Sequence, residues 1–340
     1  MKPRVLLLQE DQASGGVSTI SSTLCEALRQ QQWQVRELAL NRCGWRARLS
    51  AASQCDVILA SHNFKPAYLA WALGLLLRKP VLVWVHGPLS EVLEQAHASV
   101  FKRAWLRWIY RRSRHYVFVS RASRDSFERF MQQPLGSNQR GAVIPNVVSP
   151  MPCSGHSLWD AEAATPTPQL AYIGRLSQEK RPQLLLDMLR LLPAPYRLTL
   201  VGDGPLRDEL RHSGADLLAS GRLTLAGAQA HGPGLYTPWH MTLLASRYEG
   251  CPMTLLESFA MGVPCVGLPI AALQEVVAAH APYLLARDAS AQGLADAVQA
   301  LWAMPRESVR CDMARVLAQH QVADFVLAWQ TVLQQAAQRC

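Results

Sequence analysis

Two hydrophobic patterns alternate along the whole chain. Short, almost continuous apolar runs are separated by longer stretches in which apolar residues return every three or four positions. The first pattern is typical of strands buried on both faces of a sheet, and the second of helices that cover the sheet. The apolar runs fall at residues 4–9, 33–40, 56–62, 81–87, 116–120 and 141–146, and then at 170–176, 197–202, 222–227, 241–245 and 263–268. This alternation predicts an α/β protein with parallel sheets.

A break in the pattern divides the chain. Residues 151–168 are rich in Pro, Ser, Ala and Thr and have little periodicity, which is typical of a linker. The length of 340 residues fits about two domains. We therefore predict one Rossmann-like domain over 1–150 and a second over 169–320. Residues 321–340 predict a C-terminal helix, which we expect to pack back on the first domain.

The stretch 246–264 carries the strongest chemical signal. A strand ends there, Gly250 permits a turn, and Pro252 suits the first turn of a helix. The free backbone N–H groups of such a first turn attract phosphate. Glu249 precedes the helix and Glu257 lies inside it, so two carboxylates flank the predicted anion site. This arrangement favours a ligand with hydroxyl groups on both sides of a phosphate, such as a nucleotide sugar.

Other candidate site residues follow predicted strands, because ligands of parallel sheets gather at the carboxyl ends of the strands. In the first domain they are Gly15, Gly16 and His86, and in the second they are Gly174, Arg175, Lys180, Gly202 and Gly204. Glycines let a nucleotide approach the backbone, while Arg175 offers a planar fork and Lys180 a point charge to a diphosphate. The first turn lacks the G-x-G-x-x-G fingerprint, which counts against an NAD-dependent enzyme.

These motifs together resemble one family. The pair Glu249 and Glu257, with Gly-x-Pro after the first and Ala-x-Gly-x-Pro after the second, is similar to the Glu-x7-Glu signature of family-4 retaining glycosyltransferases of GT-B fold. Residues 174–180 resemble the family's Gly-Arg-Leu-x-x-Glu-Lys element. The resemblance spans nearly the whole chain and is strongest over 172–264. It implies two Rossmann-like domains facing a central cleft, with the donor on the second and the acceptor on the first.

The resemblance also implies a role for each candidate. Glu257 binds the ribose hydroxyls, Glu249 binds the donor sugar hydroxyls, and His86 approaches the donor sugar. The implied catalytic residues are His86, Arg175, Lys180 and Glu249. The implied donor-binding residues are Gly15, Gly16, Gly174, Arg175, Lys180, Gly202, Gly204, Glu249, Gly250, Cys251, Pro252, Met253 and Glu257.

The implied reaction moves a sugar from a nucleoside diphosphate sugar to a hydroxyl group of a glycan or lipid-linked acceptor, in lipopolysaccharide or other cell-envelope polysaccharide synthesis. Retention of configuration follows from the resemblance alone. We find no Asp-x-Asp triad in a metal context, so we expect no metal and no cofactor besides the co-substrate. Two alternatives stay open: a nucleotide-sugar epimerase of the same architecture, and a non-catalytic sugar-nucleotide-binding protein.

Charge is distributed unevenly. Residues 1–150 hold 20 of the 34 Lys and Arg and 9 of the 25 Asp and Glu, a net charge of +11, whereas the remainder has a net charge of −2. A helix follows the 81–87 run. Its residues Phe101, Ala104, Trp105, Trp108 and Ile109 share one face, which we expect to lie in the core, and Lys102, Arg103, Arg107, Arg111 and Arg114 fall largely on the other. This basic face is the predicted contact with an anionic membrane surface or acceptor phosphate.

The cellular location is also an expectation. No apolar run is long enough to span a bilayer, the N-terminus lacks the features of a signal peptide, and the eight cysteines are scattered. We expect a cytoplasmic protein that is peripheral on the inner face of the cytoplasmic membrane. No nucleic-acid-binding motif accompanies the basic half, so no nucleic-acid partner is expected.

Overall fold

The computed structural model describes residues 2–10, 16–136, 138–148, 157–159 and 167–338. It divides into two compact units. The first comprises Met1–Val147 with Gln321–Cys340, and the second comprises Val148–His320. Gly15 and most of the predicted linker lie outside the described residues.

The first unit is a parallel sheet with helices. Its strands are β1 (Val5–Gln9), β2 (Val35–Ala39), β3 (Val57–Ala60), β4 (Val81–Val85), β5 (His115–Phe118) and β6 (Arg140–Val143). Its helices up to residue 147 are α1 (Gly16–Gln30), α2 (Trp45–Ser53), α3 (Lys65–Leu77), α4 (Leu89–Gln95), α5 (Val100–Arg112) and α6 (Arg121–Met131). The strand order is β2-β1-β3-β4-β5-β6, with every pair parallel. Because β1 and β3 are buried at every position, their continuous apolar runs have no solvent face.

The second unit repeats this architecture with a smaller sheet. Its strands are β7 (Gln169–Ile173), β8 (Arg197–Val201), β9 (Leu223–Gly227), β10 (Met241–Leu244) and β11 (Cys265–Gly267). Its helices are α7 (Pro182–Leu191), α8 (Arg207–Ser213), α9 (Ala215–Ala219), α10 (Met253–Ala260), α11 (Ala271–Val277), α12 (Ala291–Trp302) and α13 (Arg306–Leu317). The parallel order β11-β10-β7-β8-β9 makes β7 the central strand, so the turns after β8 and β10 flank the turn after β7. The α/β class with two parallel sheets is confirmed.

The last helix, α14 (Val322–Ala337), belongs to the first unit. Trp329 on this helix is fully buried, and its ring centroid lies 4.5 Å from that of Trp84 on β4 in an edge-to-face arrangement. Phe325 is buried beside both rings. The aromatic contacts attach the end of the chain to the first sheet.

The prediction for the surface of α5 was wrong except at Ile109, which is buried as expected. Phe101 is 89% exposed, Trp105 53% and Trp108 38%, although we expected their face in the core. The buried side chains of this helix are Leu106, Ile109 and Tyr110. The helix carries two apolar rows, and periodicity alone does not decide which row a sheet covers. The structure buries the row that contains Leu106 and Tyr110.

The orientation of α5 also changes the predicted basic face. The Arg103 guanidinium donates to the carbonyl oxygens of Ala98 and Leu93, at 3.1 and 3.3 Å. Arg107 Nε donates to the carbonyl oxygen of Phe130 at 2.8 Å. These two arginines hold neighbouring backbone, and Lys102, Arg111 and Arg114 remain exposed. None of the helices in the described ranges is long and apolar enough to cross a membrane.

Candidate functional site

The turn after the central strand β7 is the first component of the site. It contains Gly174, and a methyl group there would lie 2.9 Å from the Tyr172 hydroxyl oxygen, closer than real Cβ contacts allow. That hydroxyl donates to the carbonyl oxygen of Arg175 at 2.7 Å and fixes the turn. Burial raises the pKa of Tyr172, with Glu249 and Glu179 adding to the effect, so the hydroxyl stays protonated and keeps donating. The Arg175 side chain is exposed.

The turn after β8 packs directly on this first turn. A Cβ on Gly202 would lie 1.9 Å from the carbonyl oxygen of Gly174, and a Cβ on Gly204 would lie 2.4 Å from that of Leu176. The obstructing atoms belong to backbone and cannot rotate away. Both glycines are therefore required by close approach of two backbones, and the result is an edge where backbone rather than side chain faces solvent.

The loop after β10 brings a charge pair to the same edge. Lys180 Nζ lies 2.5 Å from Glu249 Oε1, with the two side chains 27% and 14% exposed. Ser246 Oγ donates to the same carboxylate oxygen at 2.6 Å. The Arg247 N–H donates to the carbonyl oxygen of Glu179 at 2.8 Å, so backbone also joins the two loops. Two residues for which the resemblance implied separate ligand contacts are here partners of each other.

Helix α10 starts beside these turns. Thr254 Oγ1 donates to the carbonyl oxygen of Ile173, at 3.4 Å, which places the first turn of α10 at the end of β7. The N–H groups of Leu255 and Leu256 both donate to the carbonyl oxygen of Pro252. The N–H groups of Met253 and Thr254 precede them and have no acceptor inside the helix. This helix start, with buried Gly250 and half-buried Cys251 before it, has the polarity that attracts an anion.

Glu257 is buried in α10 and is held by two side chains that the sequence did not indicate. The Tyr236 hydroxyl donates to Glu257 Oε2, and His231 Nε2 lies 3.2 Å from Glu257 Oε1. Burial raises the pKa of Tyr236, and the nearby Glu257 carboxylate raises it further. Tyr236 lies in an irregular Gly- and Pro-containing segment without periodicity, so no sequence signal marked it or His231.

His86 lies in the other unit, just after β4. Its ring centroid is 4.4 Å from that of Trp84 and 6.5 Å from that of His62, to which the ring is nearly parallel. The pKa of His86 is lowered to about 3, mainly by burial and in part by His62, while a hydrogen bond with the Ser61 backbone opposes the shift. The imidazole is therefore neutral at pH 7. Its Nε2 is buried without a hydrogen-bond partner in the described part of the chain.

The structure thus collects most predicted site residues in one unit. The turns after β7, β8 and β10 and the start of α10 hold the donor-binding candidates from Gly174 onward. Gly16, the first residue of α1, and His86 belong to the first unit, and Gly15 is outside the described residues. No three His, Cys, Asp or Glu side chains within the described ranges are grouped to hold a metal ion.

Two parallel-sheet units with glycine turns at their strand ends define a two-domain, Rossmann-like α/β protein. Family models identify it further. A model described as "Glycosyl transferases group 1" matches residues 167–304, and one described as "Glycosyltransferase Family 4" matches residues 38–150. The chain belongs to the family-4 glycosyltransferases, as the motifs predicted.

Curated relatives include enzymes of two kinds. Lipopolysaccharide 1,6-galactosyltransferase of Escherichia coli (strain K12) is 32% identical over 112 residues, which are 29% of this chain and 30% of that protein. Alpha-D-kanosaminyltransferase of Streptomyces kanamyceticus is 22% identical over 250 residues, covering 69% of this chain and 64% of that protein. The similarity therefore spans less than a third of the galactosyltransferase and just under two thirds of the kanosaminyltransferase.

A solved structure is similar over the full length. Anabaena HepE, crystallised in complex with UDP and glucose, superposes with a TM-score of 0.79 at 18% identity, covering 98% of this chain and 100% of that chain. At this identity the likeness establishes the fold. The GT-B fold that the sequence motifs implied is confirmed.

Proposed function

We propose that this protein is a glycosyltransferase that moves a hexose from a nucleoside diphosphate sugar to a hydroxyl group of a glycan or lipid-linked acceptor. The observation that carries the proposal is the Lys180–Glu249 pair, which lies between glycine-lined turns and the loop leading into α10. A cation, a carboxylate and free helix N–H groups occur together where ligands of parallel sheets bind. Family membership supports the reaction class, and the UDP and glucose held by HepE support the donor class.

The chemical difficulty is the negative charge that develops on the leaving diphosphate. Lys180, Arg175 and the start of α10 supply positive charge and N–H donors to stabilise it. Lys180 is paired with Glu249. We infer that an incoming diphosphate draws Lys180 away from this partner. The released Glu249 carboxylate then accepts hydrogen bonds from the donor sugar hydroxyls.

Glu257 is the proposed ribose contact. An ionised carboxylate has about four acceptor positions. Tyr236 donates to one of them, and His231 Nε2 lies 3.2 Å from the other oxygen. The remaining positions can accept from the two ribose hydroxyls. Tyr236 and His231 would then be positioning residues, because they fix the carboxylate without touching the ribose.

His86 is proposed to contact the donor sugar as a neutral group. A neutral imidazole has one N–H donor and one acceptor nitrogen, which suits a hydroxyl-bearing ligand. Its Nε2 makes no hydrogen bond with the described residues, so its hydrogen-bonding capacity is unused. Gly15 and Gly16 are proposed to contact the donor by resemblance. Retention of configuration and independence of a metal ion are parts of the same proposal.

The acceptor is proposed to bind the first unit. A cavity of about 570 Å³ beside the carboxyl ends of β1 and β2 is lined by Glu10, Arg48, Lys65 and Tyr68, among others. Charged and phenolic groups of this kind hydrogen-bond to glycan hydroxyls. The lipopolysaccharide galactosyltransferase relative favours a cell-envelope acceptor, and the net charge of +11 over residues 1–150 favours work at an anionic membrane surface.

Donor binding and transfer are tested in sequence. Nucleoside diphosphates and nucleoside diphosphate sugars are first screened by thermal shift, because a ligand that binds only the folded state raises the unfolding temperature. The stabilising donor is then incubated with and without glycolipid acceptor. Acceptor-dependent release of nucleoside diphosphate supports transfer. An epimerised nucleotide sugar formed without acceptor would contradict it, and so would donor binding without turnover on any envelope glycan.

A further inference from the structure

Helix α5 exposes an organised aromatic surface. Phe101 is 89% exposed, Trp105 53% and Trp108 38%, and Val100 at the helix start is 80% exposed. Leu75 on the adjacent helix α3 is 69% exposed. We call these five residues the aromatic ledge. Large apolar side chains clustered on one surface mark a contact site more often than scattered ones do.

The ledge has internal order. The Trp105 and Trp108 rings are stacked, with centroids 5.1 Å apart and an interplanar angle of 13°. Trp71 on α3 meets Trp108 edge to face at 5.2 Å. The guanidinium of Arg112 lies 3.8 Å above the Trp108 ring. These contacts hold the tryptophans outward, where the sheet does not cover them.

A basic cavity adjoins the ledge. Its volume is about 940 Å³, and Trp71, Trp108 and Leu75 form part of its wall. The charged lining residues are Arg78, Lys79, Arg112, Arg114 and Arg140, and none of the described residues in the lining is Asp or Glu. The cavity lies at the amino ends of β4, β5 and β6, opposite the strand ends that carry His86. It is therefore separate from the end of the first sheet that carries His86.

We propose that the ledge and the cavity form one bilayer-binding surface, with the aromatic side chains at the headgroup–acyl boundary and the cavity holding the phosphate of an anionic lipid. Tryptophan is suited to that boundary because its ring is apolar and its N–H is polar. Arginine binds phosphate through its planar fork. Basic charge beside inserted apolar side chains gives the two signals that stable peripheral attachment requires.

Charge argues against the same surface of a second copy as the occupant. A symmetric pairing would bring the five basic lining residues of one copy against the same five of the other. An anionic bilayer complements them. The inference replaces the basic helix face predicted from the sequence, since Arg103 and Arg107 are engaged with the backbone of their own unit.

This inference rests on the membrane attachment within the proposed function and does not depend on the transfer reaction. The test is co-sedimentation with vesicles of phosphatidylglycerol and phosphatidylcholine, compared with phosphatidylcholine alone. The double variant Phe101→Ser/Trp105→Ser removes the ledge, and Arg114→Glu/Arg140→Glu reverses charge in the cavity. The matched controls are Leu327→Ser, at an exposed leucine of α14, and Arg46→Glu, at an exposed arginine of α2.

We expect each double variant to lower the partition coefficient onto anionic vesicles at least about tenfold. Each basic residue near an anionic surface contributes about fivefold, and the ledge variant loses the inserted apolar side chains that attachment also requires. The controls should bind within about twofold of the unaltered protein. Trp105→Phe should also reduce fluorescence quenching by brominated lipids. Equal binding by all variants overturns the proposal. So does a dimer in lipid-free solution that the ledge variant dissociates.

Folding and donor binding are followed separately. All variants should retain the unaltered unfolding temperature and the same nucleotide-induced thermal shift. A failure of the donor proposal would abolish that shift in every protein, including the unaltered one. A failure of the bilayer proposal would leave the shift intact and vesicle binding unchanged by the variants.

Discussion

At the scale of single residues, the site is organised by side chains that hold one another. Lys180 is paired with Glu249, and Glu257 is held by Tyr236. Each pair has a matched counterpart elsewhere in the chain. Arg310 pairs with Glu307 at 2.7 Å on the surface, and the Tyr283 hydroxyl donates to Asp312 at 3.0 Å. Variants of these counterparts serve as controls: they show the general cost of losing an ion pair or hydrogen bond, against which a specific effect on the site is measured.

Replacing either site cation should slow transfer. We expect Arg175→Ala and Lys180→Ala each to lower kcat at least about tenfold, equivalent to ~1.4 kcal/mol of lost transition-state stabilisation. Lys180→Ala should also lower the free energy of unfolding by about 1–3 kcal/mol, because it leaves the largely buried Glu249 carboxylate without its cation. Steady-state kinetics and denaturant unfolding measure the two effects.

The control is Arg310→Ala, whose ion pair with Glu307 is solvent-exposed and should change the unfolding free energy by less than about 1 kcal/mol. Full activity of Arg175→Ala and Lys180→Ala would contradict the proposed stabilisation of the leaving group.

The Glu257 carboxylate should control donor affinity. Charge-assisted hydrogen bonds are worth about 1.5–3 kcal/mol each, so Glu257→Gln should raise the donor Kd at least about tenfold. Tyr236→Phe removes a donor that positions the carboxylate and should raise Kd in the same direction by a smaller factor. Isothermal titration calorimetry gives both values. Tyr283→Phe should leave Kd unchanged, and a Kd for Glu257→Gln equal to that of the unaltered protein would refute the ribose assignment.

His86 should make stability depend on pH. Its pKa is lowered to about 3 in the folded state from an ordinary value of 6.5. Between these values the unfolded chain binds more protons, so stability rises with pH. His86 thus favours the folded state fully above pH 6.5, and this contribution is lost as pH falls toward 3. One proton contributes a slope of at most ~1.36 kcal/mol per pH unit.

The measurement is the unfolding temperature between pH 7 and pH 5. His86→Gln should flatten its decrease relative to the unaltered protein. The exposed His212 provides the control, and His212→Gln should keep the original slope. Identical pH profiles for all three proteins would contradict a His86 that is neutral in the folded state.

At the scale of elements, the candidate site depends on turns packed at one sheet edge. Gly202→Ala should destabilise the protein by about 1–3 kcal/mol or more, because the new Cβ would meet the Gly174 carbonyl oxygen at 1.9 Å. Separation of the two turns should also weaken donor binding. Gly234→Ala is the matched control, since no atom lies within 4 Å of its Cβ position. Thermal unfolding with and without donor measures both effects, and an equally stable Gly202→Ala would show that the turns can separate freely.

At the scale of the whole molecule, each unit has its own parallel sheet and its own charge character. The charges proposed to stabilise the diphosphate come from Arg175, Lys180 and α10, so we expect transfer without a divalent ion. Initial rates in EDTA should equal those in Mg²⁺ within about twofold, a difference in barrier of under ~0.5 kcal/mol. A loss of activity in EDTA that Mg²⁺ restores would show that a metal ion neutralises the leaving group.

Much of this protein could be predicted from its sequence because the decisive signals are local. Continuous apolar runs gave the strands, and a glycine turn before a helix and the spacing of Glu249 and Glu257 gave the family. These features depend on residues a few positions apart, which strand and helix geometry fixes directly. The two sheets and the family followed correctly from them.

Only the tertiary structure decided which surfaces and partners are used. Periodicity places Phe101 and Trp105 on one row of α5 and Leu106 and Tyr110 on another, but packing against the sheet selects the second row for burial. The Lys180–Glu249 pair and the hydrogen bond from Tyr236 to Glu257 join residues 69 and 21 positions apart. Sequence spacing sets which residues are available for such contacts, and the packing of strands and loops sets which of them meet.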